Sequence, residues 1–106
     1  MHGLRQQEAG KELKMKLFMK TIIEREHQVN ICDSELIGKK LNEVTISEYF
    51  YGQETSNEEI IEEIKKSTMI NALGERAVEI VESVKGELDV VVIDGIPHIM
   101  VVQLIT

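Results

Sequence analysis

Between Lys16 and Glu24 apolar and polar residues alternate. Leu17, Met19, Thr21 and Ile23 share one face and Lys16, Phe18, Lys20 and Ile22 the other, which predicts a strand. Arg25-Glu26-His27 then turns the chain. Val29 to Cys32 reads as the return strand of a hairpin, with Val29 and Ile31 facing inward. Asp33 or Ser34 is placed to cap a single helical turn through Ser34-Glu35-Leu36-Ile37, which Gly38 ends, and Lys39 and Lys40 follow on a loop. Glu43 to Ser47 alternates around Val44 and Ile46 and reads as a third short strand. Tyr49-Phe50-Tyr51-Gly52 is an aromatic cluster that Gly52 turns.

Ser56 followed by Glu59 fits a capping box, so a helix is expected from Asn57 to about Ser67, with Ile60, Ile61 and Ile64 as its apolar stripe. Its acids come early and Lys65 and Lys66 late, which suits the helix dipole. A second helix is expected through Ile70, Leu73, Ala77, Ile80, Val81 and Val84, stopped by Lys85-Gly86. The chain closes in a second hairpin. Its arms are Leu88 to Ile93 and His98 to Leu104, around the strong turn dipeptide Asp94-Gly95. Val90 to Ile93 is continuously apolar and reads as a central strand covered on both faces, with Pro97 at a strand entrance. The pattern predicts an α+β fold: an antiparallel or mixed sheet of about five strands in the order β-β-β-α-α-β-β, with two helices packed on one face.

Composition refines this picture. With 106 residues the chain has the size of one domain. There are 14 Ile and 10 Val but no Trp, so the core is aliphatic and largely β-branched. Residues 1–14 are polar and without period. They read as a vector-derived or upstream-start extension, or a disordered tail, leaving 15–106 as a single α+β domain. Cys32 is the one cysteine, which excludes an intramolecular disulfide. No apolar run reaches the ~20 residues that span a bilayer, and the N-terminus lacks an apolar signal core. The expected location is therefore cytoplasmic, with no membrane partner. The net charge of −7 opposes nonspecific attraction to nucleic acid or anionic membrane.

Four segments carry a resemblance: Cys32-Asp33-Ser34-Glu35-Leu36-Ile37-Gly38-Lys39; Phe50-Tyr51-Gly52 with Glu54; Asn71 with Leu73-Gly74-Glu75-Arg76-Ala77-Val78; and Gly95-Ile96-Pro97-His98. In this order the chain resembles a family of small archaeal proteins, family 424 of the domains of unknown function. The segment before Met15 has no counterpart there, and Gln53 stands where the family often has Gly or Glu. The resemblance implies an archaeal, cytoplasmic protein and supplies no substrate, cofactor or reaction.

Three groups of residues are candidates for binding. In Asn71-Ala72-Leu73-Gly74-Glu75-Arg76, a helix starting near Asn71 or Leu73 offers free N–H groups that, with Arg76, hold a phosphate or carboxylate. The structural alternative is a helix–helix junction: Asn71 caps, Gly74 permits tight packing and Arg76 pairs with a nearby Glu. In the second group, Tyr51, Gly52 and Glu54 with their aromatic neighbours stack on bases or anchor a protein. The alternative puts Phe50 in the core and leaves the tyrosines half buried. In the third, Gly95, Pro97 and His98 form a hairpin end whose His serves as a base or a modest contact, or is structural. No nucleophile stands beside His98 in the sequence, and Cys32 with His27 falls short of a metal's ligand set. Neither a cofactor nor a metal is expected. Glu58, Glu59, Glu62 and Glu63 read as a solvated helix face.

The leading expectation is a non-enzymatic adaptor that docks a protein partner on a larger assembly such as the translation or RNA-processing machinery. One alternative is a small-ligand or phosphate-binding enzyme that brings Asn71, Gly74, Arg76 and His98 into one pocket. Another is direct binding of RNA or the ribosome through Lys39, Lys40, Arg76 and the tyrosines. A homodimer is compatible with each.

Overall fold

Strands β1 (Leu17–Ile23) and β2 (His27–Asp33) form the expected antiparallel hairpin in the computed structural model, in register from Leu17 against Asp33 to Ile23 against His27. Residues 16–102 are described; the expectations for residues 1–14 and for the end of the last strand at Leu104 fall outside them. A 3₁₀ turn over Ser34–Leu36 follows β2. The chain between Glu43 and Ser47 does not join the main sheet. Instead β3 (Lys40–Leu41) and β4 (Val44–Thr45) make a separate two-stranded ribbon, so Lys40 lies in a strand rather than a loop.

The ribbon turns through Asn42 and Glu43, both at positive φ (51° and 68°). These are the backbone values of a tight I′ hairpin, which favours Asn followed by Gly. Glu43 therefore holds a conformation that costs a side-chain-bearing residue about 1–2 kcal/mol. Glu43→Gly is expected to raise stability by about 0.5–1 kcal/mol after the entropy cost of glycine, measurable as a higher urea midpoint.

Helix α1 (Glu48–Tyr51) starts where the Ser47 hydroxyl accepts from the Tyr49 N–H, and Gly52 ends it at φ 77°. Strand β5 (Gln53–Thr55) then pairs with β1 at one sheet edge. Helix α2 (Asn57–Lys66) begins as expected, with the Ser56 hydroxyl accepting from the Glu59 N–H.

The expected second helix is half a strand. Met69–Leu73 is β6, pairing parallel with β2 and antiparallel with the last strand, and helix α3 starts only at Glu75 and runs to Lys85. Ile70, Ala72 and Leu73 have the short continuous apolar run of a fully buried strand, which periodicity cannot separate from the start of a buried helix. The helix–helix junction therefore does not exist, and Asn71 caps nothing. The final hairpin, β7 (Val91–Ile93) and β8 (Ile96–Val102), turns through Asp94 and Gly95, at φ 52° and 79°.

The main sheet has six strands in the order β5-β1-β2-β6-β8-β7. It is mixed, because β2 and β6 run parallel and the remaining neighbours antiparallel. Strand β7 is an edge strand, not a central one: Val91 and Val92 are 60% and 64% exposed. Helices α2 and α3 cover one face. There Ile60, Ile64, Ala77 and Val81 meet Leu17, Met19, Val29, Ile31, Ile70, Ala72 and Ile99. On the other face, Cys32 and Leu73 form a smaller cluster with Leu36, Ile46 and Tyr51, covered by the ribbon and α1.

Candidate functional site

Because β2 and β6 are parallel neighbours, their carboxyl ends open side by side, the position where α/β sheets commonly place a ligand crevice. Here it is a shallow hollow of about 150 Å³ lined by Asp33, Glu35, Gly74, Glu75, Arg76 and Ile96, among others. The first turn of α3 points into it. Its amides are already taken: Asp33 Oδ1 accepts from the Ala77 N–H at 2.8 Å and Oδ2 from the Arg76 N–H at 3.2 Å. Asp33 thus caps α3, a helix 43 residues further on, and not the local turn predicted for it. The local turn has no side-chain cap.

Burial pushes the Asp33 carboxyl above its usual range, opposed by the two amide bonds. Gly74 makes the approach possible. Its φ of 110° belongs to glycine, and a Cβ there would lie 2.6 and 2.7 Å from the two carboxylate oxygens. The Arg76 guanidinium reaches Glu35 at 3.7 Å through Nη1, while Nε is buried and makes no hydrogen bond. With Asp33, Glu35 and Glu75 around one arginine, the hollow is electrostatically hostile to a phosphate.

Gly95 and Pro97 border the same hollow, and the Pro97 carbonyl accepts from the Gly74 N–H at 2.9 Å. Asn71 and His98 do not border it. Ile70, Ala72 and Ile99 face the helices, so the alternation of β6 and β8 turns Asn71, Leu73 and His98 to the opposite face. There His98 Nε2 donates to Asn71 Oδ1 at 2.7 Å, and burial holds the imidazole below its usual pKa. Arg76 and His98 are therefore on opposite sides of the sheet. The four residues that the enzyme alternative needs in one pocket do not converge.

A polar row flanks this pair. Gln28 Nε2 donates to Asn30 Oδ1 at 2.8 Å, and the buried Asn30 gives its Nδ2 to the Phe50 carbonyl at 3.1 Å, pinning α1 onto the sheet. This inverts the expected burial of the aromatics. Tyr51 is the buried ring at 7% exposure, with its hydroxyl pKa raised by burial, while Phe50 is 40% and Tyr49 85% exposed. A four-residue helix anchored through its Phe50 carbonyl turns Tyr51 toward Cys32 and Leu73 and leaves its neighbours outside. Phe50 stacks edge-on against Tyr51 at 4.8 Å, and the Lys20 ammonium sits 4.5 Å from the Tyr49 ring centre. Gly52 lies so close to β1 that a Cβ would strike the Met19 carbonyl, and Glu54 on β5 pairs with Lys16 at 3.6 Å.

Between the ribbon and α1 lies an apolar groove of about 310 Å³, lined by Leu41, Val44, Ile46, Phe50, Tyr51 and Leu73 with two hydroxyl residues. Exposed Glu43 and Glu48 belong to the same ribbon and helix, and Asp94 accepts from the Asn42 N–H of the ribbon turn at 3.3 Å.

Cys32 is fully buried with its thiol pushed up to about 12, which makes it inert at neutral pH. His27 lies on the other face of β2, 2.8 Å from Glu63, so Glu63 belongs to a partly buried pair and not to the solvated face. Among the described residues no three His, Cys, Asp or Glu side chains are grouped to hold a metal. None of the described helices is long and apolar enough to cross a membrane.

Sequence reasoning missed Asp33 and Asn30. A buried Asp immediately after an apolar strand is a recognisable oddity, yet its partner amides are remote in sequence. Asn30 hides behind an otherwise regular alternation.

Comparison with curated proteins finds no match. Among solved structures, the fold resembles an uncharacterized conserved protein from Methanopyrus kandleri. The TM-score is 0.69 and the identity 22%, over 86% of this chain and 96% of the other. Residues 21–104 match the family described as protein of unknown function, DUF424, and the chain belongs to that family.

Proposed function

We propose that this chain is a non-catalytic binding module that docks a protein partner in the groove between the ribbon and α1. The observation that carries this reading is the groove itself: an apolar floor of Leu41, Ile46, Tyr51 and Leu73, with Phe50 and Val44 standing exposed at its lip. A concave apolar floor beside an exposed aromatic is the arrangement that receives a partner's large apolar anchor. The acidic side chains around it, and the net charge of −7, fit a partner whose contact surface is apolar with a basic rim. The groove's two aliphatic hydroxyls, on Thr45 and Ser47, have no His, carboxylate or basic side chain beside them among the lining residues to activate them or clamp an anion. Docking on a larger assembly is the setting that suits so small a chain.

The test compares wild type with Val44→Glu and Phe50→Glu in a nuclease-treated pull-down from lysate of the source organism. Both side chains are exposed, so folding is expected to survive with stability changed by about 0.5 kcal/mol or less at Val44. The expected result is a stoichiometric protein recovered by wild type and lost by both variants at unchanged circular dichroism. A partner retained by both variants would refute the groove, and material that nuclease removes would transfer the reading to RNA.

A further inference from the structure

The sheet has two edges of opposite character. At one, β5 carries the polar residues Gln53, Glu54 and Thr55, pairs with β1 through its backbone, and holds Lys16, just before β1, through Glu54. At the other, β7 lies in the sequence Asp89-Val90-Val91-Val92-Ile93-Asp94, four apolar residues between two exposed aspartates. Val91 and Val92 point to opposite faces, and each is more than half exposed.

Among the described strands none pairs with the outer backbone of this edge. A two-residue hairpin makes Ile93 and Ile96 a hydrogen-bonded pair, so Val92 against Pro97 is a non-hydrogen-bonded pair. Pro97 fits there because it lacks the donor. By the same alternation the N–H and C=O of Val92 point away from the sheet.

An edge of this kind is a template for another strand, and native proteins usually blunt it with Lys, Pro or a covering segment. Among the described residues β7 carries no Lys or Pro, and no described segment covers it. We propose that β7 accepts an extended segment of a partner protein as a seventh strand, that segment carrying about four apolar residues bracketed by Lys or Arg.

The charges select this occupant over a second copy. In either symmetric antiparallel register, centred on Val91 or on Val92, Asp89 of one copy falls within one residue of Asp94 of the other at both ends. In such a pair the two aspartates stand on opposite faces and neither meets a basic partner, whereas a basic residue of another protein directly opposite each aspartate, on the same face, stabilises the pairing. The apolar run faces outward on both sides, so the segment is apolar at consecutive positions. This surface is distinct from the groove, and its occupant need not be the same protein.

The test is an NMR titration of the ¹⁵N-labelled full chain with two end-capped peptides, Lys-Val-Val-Ile-Val-Lys and Asp-Val-Val-Ile-Val-Asp. The lysine peptide is expected to shift the amides of Val90 to Ile93 saturably. The aspartate peptide should bind about tenfold more weakly or worse, because the charge pairs at both ends change sign. Val92→Pro removes an outward donor at a position where an edge strand tolerates proline, so it should abolish binding and leave the remaining spectrum intact. Equal affinity for the two peptides, or shifts confined to Val44 and Phe50, would overturn the proposal. So would a dimer at neutral pH that Val92→Pro dissociates, since the edge would then belong to a second copy.

Discussion

Gly74→Ala is expected to lower the unfolding free energy by about 3 kcal/mol or more, from backbone strain together with a displaced helix cap. The φ of 110° lies where only glycine sits without cost, and the new methyl would occupy the space of the Asp33 carboxylate. Asp33 cannot retreat and still reach the Arg76 and Ala77 amides. The substitution therefore damages the crossover from β6 to α3 in the centre of the fold. A loss of that size lowers the melting temperature by roughly 12–24 °C in a domain this small. Gly86→Ala is the control. Its φ of 87° is also strained, but a Cβ there meets nothing within 4 Å, so only a loss of about 1–2 kcal/mol is expected. Equal melting temperatures for the two variants would show that the contact with Asp33 carries no weight.

The second large effect belongs to Asp33 itself. Asp33→Ala should cost about 2 kcal/mol, the upper range for removing a helix cap, because the residue is nearly fully buried and two amides lose their acceptor. Asp33→Asn should cost about half as much, since the amide oxygen still accepts and no charge is buried. The two variants also separate in pH dependence. In the folded protein burial holds the Asp33 carboxyl above its ordinary value of 3.8, so the native state keeps a proton that the unfolded chain has released. The stability difference between wild type and Asp33→Asn should therefore be most favourable to wild type below about pH 3.8. It should decline as pH rises through the native pKa and stay level beyond it. Urea denaturation of both proteins from pH 3 to 8 measures this. A difference that grows with pH would mean that the two amide bonds outweigh burial.

These two residues show where the sequence stops being sufficient. Gly74 stands out along the chain as an expensive residue inside an apolar pattern, but its reason lies 41 positions back. The parallel pairing of β2 with β6 brings Asp33 beside it. Arg76 was legible as a candidate charge. That the amides around it are already filled, and that His98 points to the other face, follows from strand alternation once β6 is known to be a strand. The aromatic cluster was visible as a cluster. Which ring enters the core was decided by Asn30, whose bond to the Phe50 carbonyl fixes the rotation of α1.

The sequence by itself determined the features that local physics controls. The alternation of β1 and β2 and their hairpin, the Ser56 cap of α2, the Lys85-Gly86 stop of α3 and the Asp94-Gly95 turn all depend on a few adjacent residues. It also determined an aliphatic α+β core with two long helices on one face. Tertiary structure alone decided the rest. It made Met69–Leu73 a central strand, because a short apolar run suits either period until neighbours on both sides take its backbone hydrogen bonds. It made Val91–Ile93 an exposed edge, because an apolar strand is central only if another strand lies beyond it, and none of the described strands does. It withdrew Glu43–Thr45 into a separate ribbon and so opened the groove on the helix-free face. The physical reason is common to all three: a strand's place in a sheet is set by long-range pairing, which leaves no mark in the strand's own sequence.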